Sequence, residues 1–325
     1  MKRREFIKLF GGAALSPFAA YAQGASSAPR IGWLTAQTAG SLTPFIEALR
    51  AGFTELGYAE GRNLNLVFRY ADDRIERLPE LTAQLVRTPV DVIMAQGAAA
   101  SVLSKLNLPV PVVFATSGDP VSAGFVRSLA RPGGNMTGVT FMADELNGKR
   151  IELLRDMLPG LRRVAIVANP QHPGEHLERA YSERTAEKFG IEMDYYPARS
   201  TEELEDSFRK MKAEPPQAIN LFSDGFAIQN RESIVRFGLT QKIPIISGWP
   251  VFAQSGAICS YGPRLTESYR RMASFVDRII KGGKAAEIPV ERPTRFQLVI
   301  NLRTAKALGI SVPPALVAQA DDVIE

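Results

Sequence analysis

Short β-branched runs alternate along the chain with longer segments in which apolar residues recur every three or four positions. In the first such unit, a strand is predicted over residues 30–34 and a helix over residues 42–56. Leu49 and Phe53 fall on one face of that helix, and Gly57 ends it. The alternation of strand and amphipathic helix is typical of βαβ units on a parallel sheet. The hydrophobic pattern therefore predicts an α/β fold.

The same pattern runs through the chain twice. Strands are predicted at residues 30–34, 64–70, 90–95 and 110–115, and again at residues 164–168, 192–196, 218–222 and 243–246. The two halves align at nearly one spacing, because Ile31 and Val164 lie 133 positions apart, as do Gly57 and Gly190. In the middle, Pro89 and Pro215 lie 126 positions apart, which indicates one shorter loop. A series of strands and helices that recurs in full and in order indicates two similar doubly wound parallel-sheet lobes.

Three further elements follow the second series. They are a strand at residues 257–260, a helix at 265–280 and a strand at 296–301. Elements beyond two equal halves allow the chain to cross between the lobes several times. Several crossings of few residues each form a hinge, because few residues then absorb the rotation between the lobes. The predicted division is lobe 1 at 28–143, lobe 2 at 144–249, a return to lobe 1 at 250–292, and a C-terminal segment at 293–325 that crosses back toward lobe 2.

The first 22 residues have the composition of an export signal. Basic residues at the start are followed by an apolar run and by Ala20-Tyr21-Ala22, an A-x-A cleavage pattern. Arg3-Arg4 also resembles a twin-arginine signal, which leaves the export route open. The apolar run is too short to cross roughly 30 Å of hydrocarbon, which takes about 20 residues. We therefore expect a cleaved signal peptide at residues 1–22 and a location in the periplasm.

Most of the net charge lies in that leader. Lys and Arg number 39 against 34 Asp and Glu, a net charge of +5, of which the leader carries +3. The remaining basic residues are scattered among acids, so nucleic acid is not an expected partner. At 45% hydrophobic and 22% charged residues, the chain can bury an ordinary core. Its single cysteine, Cys259, excludes an internal disulfide and is expected to be a small buried hydrophobe.

Candidate binding groups lie where the predicted strands end, because ligands of open parallel sheets sit at the carboxyl edge. The groups there are hydroxyls, amides, a carboxylate and two aromatic rings. The candidate ligand-binding residues are Gln37, Gln96, Gly97, Thr116, Ser117, Thr140, Asn169, Asp224, Trp249 and Tyr261. Such groups suit a small polar or aromatic molecule held by hydrogen bonds and ring faces.

Motifs for cofactor or nucleophilic chemistry are absent from the sequence. No Gly-x-Gly-x-x-Gly follows the first strand, and neither a phosphate-binding lysine loop nor a Gly-x-Ser-x-Gly turn occurs. The Gly-rich stretch 131–135 precedes a strand, so a turn is expected there. The only histidines, His172 and His176, are expected in a solvated loop, with a metal or acid–base role as the lesser alternative. We expect no cofactor, no metal and no catalytic residue.

Four of the polar and aromatic residues keep two interpretations each. Asp119, in an Asp-Pro pair, is expected mainly to cap a helix through residues 121–129. Asp224 either turns the chain after a strand or faces the cleft, where it would pair with a ligand ammonium. Trp249 and Tyr261 either pack in the core or hinge, or form an aromatic wall for the ligand.

Four stretches of the sequence resemble a known family. They are Phe-Ala-Thr-Ser-Gly-Asp-Pro-Val at 114–121, Arg-Pro-Gly-Gly-Asn-Met-Thr-Gly-Val at 131–139, Gly-Ala-Ile-Cys-Ser-Tyr-Gly at 256–262 and Phe-Gln-Leu-Val-Ile-Asn-Leu-Arg-Thr-Ala-Lys-Ala-Leu-Gly at 296–309. In this order they are similar to the type I periplasmic binding proteins. Within that group they resemble the ABC-transporter substrate-binding, lipoprotein-like family that includes tryptophan-binding members. The resemblance covers essentially the whole chain after the leader.

The resemblance implies a monomeric receptor that closes two lobes on a small ligand and presents the closed form to an ABC permease in the inner membrane. The cleft positions that it implies are Gln96, Gly97, Thr116, Ser117, Asn169, Asp224 and Tyr261. In amino-acid-binding relatives, an acid at the position of Asp224 holds the ligand ammonium. No cysteine precedes the expected cleavage point, so we expect a free periplasmic protein rather than a lipid-anchored one. The resemblance does not assign the ligand.

Two other functions stay open at this point. The same fold would serve as the ligand-binding subunit of a periplasmic sensory system that docks on a membrane kinase. An exported hydrolase-type enzyme would use Asp119 or the histidine pair, although no nucleophile and base occur at matching strand ends. We predict the solute-binding receptor of an ABC importer, with a small polar or aromatic, amino-acid-like ligand whose binding shifts the lobes toward closure.

Overall fold

Two parallel sheets, each covered by helices on both faces, form the protein. The computed structural model describes residues 28–141, 143–172 and 174–325, and the predicted signal peptide at 1–22 lies outside them. The first lobe contains β1 (Arg30–Thr35), α1 (Ala39–Glu55), β2 (Asn65–Tyr70), α2 (Leu78–Arg87), β3 (Val92–Gln96), α3 (Ala98–Ser104), β4 (Val112–Thr116) and β5 (Met136–Thr140).

The second lobe contains the other strands and most of the other helices. Its first elements are α4 (Ala143–Met157), β6 (Arg163–Ala168), α5 (Glu175–Lys188), β7 (Glu192–Pro197), α6 (Thr201–Ala213), β8 (Ala218–Leu221), α7 (Gly225–Gln229), α8 (Arg231–Gln241), β9 (Ile245–Ser247), α9 (Pro250–Ser255) and β10 (Cys259–Pro263). After α10 (Leu265–Ile280) come β11 (Phe296–Asn301), α11 (Leu302–Leu308), α12 (Pro314–Gln319) and β12 (Asp322–Ile324). No helix in this described part of the chain combines the length and the hydropathy that crossing a bilayer requires.

The two sheets share a strand order. The first runs β2-β1-β3-β4-β5, and the second runs β12-β11-β10-β9-β8-β6-β7. Among these strands all pairs are parallel except β10 with β11. The order β2-β1-β3-β4 therefore corresponds to β7-β6-β8-β9, which confirms the prediction of two similar doubly wound lobes. Strands such as β1 and β6 are buried from their second residue onward, as a parallel sheet covered on both faces requires.

The side chains of β1 divide the core of the first lobe into two clusters. Trp33 packs with α1 and α10 on one face of the sheet, whereas Leu34 packs with α2 and α3 on the other. Helices α1 and α10 approach closely because Gly52 has no side chain; a Cβ there would lie 2.3 Å from the carbonyl oxygen of Arg270. This contact holds α10, from the last part of the chain, on the first lobe. Cys259, on β10, is free and fully buried, and burial raises the pKa of its thiol.

The chain crosses between the lobes three times. It leaves the first lobe between β5 and α4, returns between β10 and α10, and crosses back before β11. The return that the sequence predicts at residues 250–292 begins later in the structure, because β10 pairs with β9 and β11 in the second sheet. Helix α10 starts the return, which ends near Glu291, bridged to Val139 of β5. Residues 293–325 then supply β11 and β12 of the second sheet.

Two predicted helices differ in the structure. Residues 121–129 form turns rather than a helix. Asp119 does cap the first turn, since its Oδ1 accepts the Val121 N–H at 2.9 Å and its Oδ2 accepts the Ser122 hydroxyl at 2.9 Å, but Gly124 adopts a left-handed φ of 75°, which ends that turn. These bonds close a local turn around the carboxylate. The pattern of apolar residues at 226–239 predicts one helix, whereas the structure has two there, α7 and α8, which meet at Asn230.

Candidate functional site

A cleft between the lobes lies at the carboxyl edges of both sheets. It encloses about 820 Å³ of empty space, part of it open to solvent. The first lobe contributes Thr35, Ala36, Gln37, Asp73, Ile75, Gln96, Gly97, Ala98, Ala115, Ser117 and Phe141. The second lobe contributes Asn169, Gln171, His172, Arg199, Asp224, Gly225, Phe226, Gln229 and Trp249.

Most of the residues that the sequence singles out line this cleft. They are Gln37, Gln96, Gly97, Ser117, Asn169, Asp224 and Trp249. Thr116 is instead buried in β4, and Thr140 donates its hydroxyl to the Gly118 carbonyl at 2.9 Å, which supports the loop that carries Ser117. Tyr261 also lies outside the cleft, since its ring packs with the cluster that α4 covers.

A chain of hydrogen bonds sets the first lobe's edge of the cleft. The hydroxyl of Tyr269, on α10, donates to Gln96 Oε1, and Gln96 Nε2 donates to Gln37 Oε1 at 2.9 Å. Burial raises the pKa of the Tyr269 hydroxyl, which keeps it protonated and a donor. Gly97 makes the turn from β3 into α3 at a φ of 53°, a left-handed value that glycine adopts without steric strain. This part of the edge is therefore neutral.

Asp224 stands where α7 begins, at the second lobe's edge of the cleft. Its Oδ1 accepts the Ala227 N–H at 2.7 Å, which caps the helix, and its Oδ2 accepts the Asn169 amide at 2.9 Å. The residue is 6% exposed. Burial raises the pKa of its carboxyl, although the nearby His172 opposes that shift. Asp224 thus caps a helix and lines the cleft at once, and each oxygen keeps a further lone pair.

His172 is not the solvated loop residue that the sequence predicts. Its side chain is 8% exposed. Its Nε2 lies 2.5 Å from Ser117 Oγ across the cleft and 3.4 Å from Glu178 Oε1 within the second lobe. Burial favours the neutral ring, but the carboxylates of Glu178, Asp224 and Glu175 outweigh burial and raise the pKa of the imidazole. His172 therefore joins the two lobes.

A buried ionic network lies behind His172. Glu178 Oε2 accepts the amide of Asn147 at 2.9 Å, and Asn147 Oδ1 accepts Arg150 Nη1 at 2.8 Å. Arg150 is 1% exposed and donates its Nε to the Tyr261 carbonyl at 2.9 Å. Burial lowers the pKa of Arg150 to about 10, while Glu178 opposes the shift. The sequence gives no sign of this network, because charged residues on amphipathic helices are usually solvated.

Several other cleft residues were not predicted. Asp73 and Arg199 follow β2 and β7, the edge strands of the two sheets, and the strand-end rule would have found them had it been extended to those strands. Gln229 ends α7, a position that strand ends do not mark. Phe141 and Phe226 are aromatic residues of the lining in addition to Trp249. The cleft is therefore richer in charge and in aromatic surface than the sequence indicates.

The arrangement of Ser117, His172 and Glu178 fits lobe contact better than catalysis. The three residues lie in the order of a Ser–His–acid set, yet both contacts of the imidazole use Nε2. A proton relay needs the acid on one ring nitrogen and the hydroxyl on the other. Within the described residues, no group of three or more His, Cys, Asp or Glu side chains is placed to hold a metal ion.

Comparison with known proteins places the chain in a family. The family model described as ABC transporter substrate binding protein matches residues 39–324. A curated relative is the tyrosine-binding protein of Clostridioides difficile (strain R20291). It is 22% identical over 273 residues, which cover 82% of this chain and 78% of that protein.

Solved structures show the same two-lobed fold. The ABC domain in complex with L-Trp from Streptococcus pneumonia matches at 23% identity and a TM-score of 0.86, over 92% of this chain and 100% of that one. A conserved domain protein from Vibrio cholerae O1 biovar eltor matches at 24% identity and a TM-score of 0.85, over 91% and 99%. The fold is that of the type I periplasmic binding proteins. Since the family model spans nearly the whole described chain, the protein belongs to the ABC transporter substrate-binding protein family.

Proposed function

We propose that the protein is the solute-binding receptor of an ABC importer, works in the periplasm and captures a small amino-acid-like ligand in the interlobe cleft. The observation that carries the proposal is the cleft, where polar side chains of both lobes converge on one space. The family supports a role in transport, and the composition of residues 1–22 supports export. The partner would be a membrane permease, and the receptor would act as a monomer.

The chemistry of the cleft fits an amino acid with an aromatic side chain. Asp224 is an oriented acceptor for an ammonium group, because Ala227 and Asn169 hold its two oxygens. Phe226 and Trp249 offer ring faces to an apolar or aromatic group. One relative is named for binding tyrosine, and one solved structure with this fold contains L-Trp. Both support the same ligand class here.

Closure would join the ligand to both lobes. The lobes already touch in the structure. Ser117 contacts His172, and Gly174 packs closely on Gly118, since a Cβ added to Gly174 would lie 2.8 Å from the Cα of Gly118. A ligand that reaches Gln96 on one lobe and Asp224 on the other binds the closed form more tightly than the open form. Binding therefore shifts the population toward closure, with no chemical step.

Ligand retention and thermal unfolding test the proposal. Small molecules that stay bound to the purified protein are identified by mass spectrometry, and the Tm is then measured with each amino acid and with aromatic acids. A ligand at 100 times its Kd adds about 2.7 kcal/mol to the free energy of unfolding. We expect tyrosine or tryptophan to raise the Tm. No shift with any compound would contradict the ligand class, and turnover of a bound compound would contradict the receptor role.

The two tryptophans provide a reporter of closure. Trp249 lines the cleft, whereas Trp33 is buried in the first lobe. The variant Trp33→Phe leaves Trp249 as the single indole, and the Trp33 Nε1 has no hydrogen-bond partner among the described residues to lose. Tyrosine should change the emission of Trp249 in that variant. The matched control, Trp249→Phe, retains Trp33 and should not respond.

A further inference from the structure

We infer that Asp73, on the first lobe, is a second ligand-binding carboxylate, which accepts a hydrogen bond from a polar atom on the ligand's side chain. The inference rests on the proposed function and narrows its ligand class. The ligand is an aromatic amino acid with a side-chain donor, a phenolic O–H or an indole N–H. Asp224 takes its ammonium group, and Asp73 selects the side chain.

One oxygen of the Asp73 carboxylate, Oδ1, is buried without a hydrogen-bond partner among the residues that the structure describes, and the residue lines the cavity. Asp72, beside it in the chain, is exposed and pairs with Arg77 at 2.7 Å. Both oxygens of Asp224 already accept a hydrogen bond. Because a buried acceptor without a donor is unfavourable, Asp73 Oδ1 gains most from a donor on the ligand.

The backbone that presents Asp73 is strained. Asp72 and Asp73 adopt φ values of 51° and 66°, and in the described chain only Lys242 shares this left-handed region among residues other than glycine. Such values are uncommon for residues with a side chain, and strained backbone concentrates at binding and catalytic sites. The Asp73 N–H donates to the Ala36 carbonyl at 2.7 Å. That bond holds the strained loop against the end of β1, beside the cleft.

Asp224 and Asp73 lie near opposite ends of α7: Asp224 begins the helix, and Asp73, on the first lobe, lies near the residue that ends it. Burial raises the pKa of the Asp73 carboxyl, and the side-chain amide of Gln229, on the second lobe, opposes that shift. Gln229 is the last residue of α7 and Asp224 is its N-cap. Five helical residues span about 7.5 Å at 1.5 Å each. That length is comparable to the distance between the ammonium group and the far polar atom of an aromatic amino acid.

A site built in this way selects against ligands that lack the donor. When a binding site hydrogen-bonds a ligand O–H or N–H, the analogue without that group leaves a buried protein acceptor unpaired and binds much more weakly. Tyrosine and tryptophan should therefore bind more tightly than phenylalanine. The aromatic residues of the cleft can contact the rings of all three amino acids. The difference in affinity between them therefore measures the contribution of Asp73.

Calorimetric titration of L-tyrosine, L-tryptophan and L-phenylalanine tests the inference. The variants are Asp73→Gly, Asp73→Asn and the matched control Asp72→Gly; glycine adopts the left-handed backbone freely, so both glycine variants keep the loop. We expect the wild type to bind tyrosine and tryptophan at least about tenfold more tightly than phenylalanine. Asp73→Gly should lose that preference, Asp73→Asn should keep part of it through its amide oxygen, and Asp72→Gly should match the wild type.

Unfolding without ligand separates binding from a structural role. The Tm of ligand-free Asp73→Gly should be no lower than that of the wild type, because the variant removes backbone strain and an unpaired acceptor. A lower Tm together with an unchanged preference would overturn the inference. A wild type that binds tyrosine no better than phenylalanine would also overturn it and leave the proposed function standing. A wild type that binds none of the three amino acids would overturn both.

Discussion

The two edges of the cleft have the same strand order and different chemistry. On the first lobe, Gln37 and Gln96 are joined to each other and to Tyr269 by neutral hydrogen bonds. On the second lobe, His172 stands in front of a buried network that contains Glu178 and Arg150. The helices behind the strands account for the difference. Helix α10 buries mainly apolar residues around Tyr269, and its buried acid, Asp277, pairs with Lys281 on the same helix, whereas α4 and α5 bury an arginine and a glutamate.

The difference separates two determinants of a binding site. The strand order fixes where a side chain can meet the ligand, and the covering helices fix which charge it carries. Burying an ion pair costs desolvation that only good geometry offsets, so the second lobe holds an oriented, charged edge. The amides of the first lobe need no charged partner and can change their hydrogen bonds when a ligand enters. Substitutions behind the second edge should therefore have the larger effects.

The largest effect is expected from Arg150→Met. The change removes the cation that Asn147 links to the buried Glu178 and leaves that carboxylate paired with His172, and breaking a buried ionic network from one side costs about 3–5 kcal/mol of unfolding free energy. Denaturant titration measures the loss. Lys149→Met is the matched control on the same helix, since Lys149 is exposed and pairs with Glu152 at the surface, and it should cost under about 1 kcal/mol. If Arg150→Met lost as little unfolding free energy as Lys149→Met, the charged edge of the cleft would not depend on the buried network, and the proposed difference between the two edges would be wrong.

A double variant sharpens this test. Arg150→Met combined with Glu178→Gln removes both of these buried charges, so it should be more stable than Arg150→Met alone. Non-additivity of this sign is expected for residues in one network. Simple addition of the two single losses would mean that Arg150 and Glu178 act independently, in conflict with the bonds through Asn147.

The sequence predicts where the strands of the fold lie, but it does not predict how the last strands pair. The boundaries of β1 and β4 were predicted to within two residues, because the hydrophobic pattern of a buried strand is local. The sequence placed β10 in the return to lobe 1, which was wrong, since an apolar run does not encode its neighbours; its pairing with β9 and β11 in the second sheet depends on tertiary contacts. The face on which Tyr261 lies depends on the same register.

The site could be predicted where it depends on strand ends. Gln96 and Asp224 follow strands whose direction the βαβ pattern already gives. His172 could not be found in this way, because its burial depends on Glu178 from α5 and on Ser117 from the other lobe. Arg150 was missed for a related reason, as a helix pattern does not show that a charged residue has buried partners.

The next effect is expected at His172 and depends on pH. The folded protein raises the pKa of this imidazole above its ordinary 6.5, through the carboxylates of Glu178, Asp224 and Glu175. The ion pair therefore stabilises the fold fully below pH 6.5 and loses that contribution as the pH rises through the folded-state pKa. The variant His172→Gln should be less stable than the wild type by about 1.5–3 kcal/mol in acid, and by less in alkali.

The other histidine provides the control for this pH dependence. His176 is exposed, and these two are the only histidines of the chain. His176→Gln should follow the stability of the wild type at every pH, measured by denaturant titration between pH 5 and pH 9. A deficit of His172→Gln that grows toward alkaline pH would show that the neutral contact with Ser117, and not the ion pair, matters most.

A smaller effect is expected for affinity at Asp224. Asparagine is a good N-cap, so Asp224→Asn keeps α7 capped and removes only the charge. We expect the affinity for an amino acid to fall about tenfold, or about 1.4 kcal/mol, because a charge-assisted hydrogen bond is lost. Burial raises the pKa of this carboxyl, so the affinity of the wild type should also fall as acid protonates it. Asp119→Asn, a turn residue outside the cleft lining, should leave the affinity unchanged.

The smallest effect is expected from Tyr269→Phe, at the neutral edge. The ring keeps its stacking on Phe45, with centroids 4.9 Å apart, and only the bond to Gln96 is lost. Loss of one neutral hydrogen bond costs about 0.5–1.5 kcal/mol, and Gln96 borders the cleft, where water can replace the donor. Tyr58→Phe, which loses a hydrogen bond to the carboxylate of Asp277 elsewhere in the first lobe, should cost more, about 1.5–3 kcal/mol, without changing ligand affinity. If Tyr269→Phe instead destabilised the protein as much as Arg150→Met, breaking the neutral hydrogen bonds would cost as much unfolding free energy as breaking the ionic network. The covering helices would then not explain how the two edges differ.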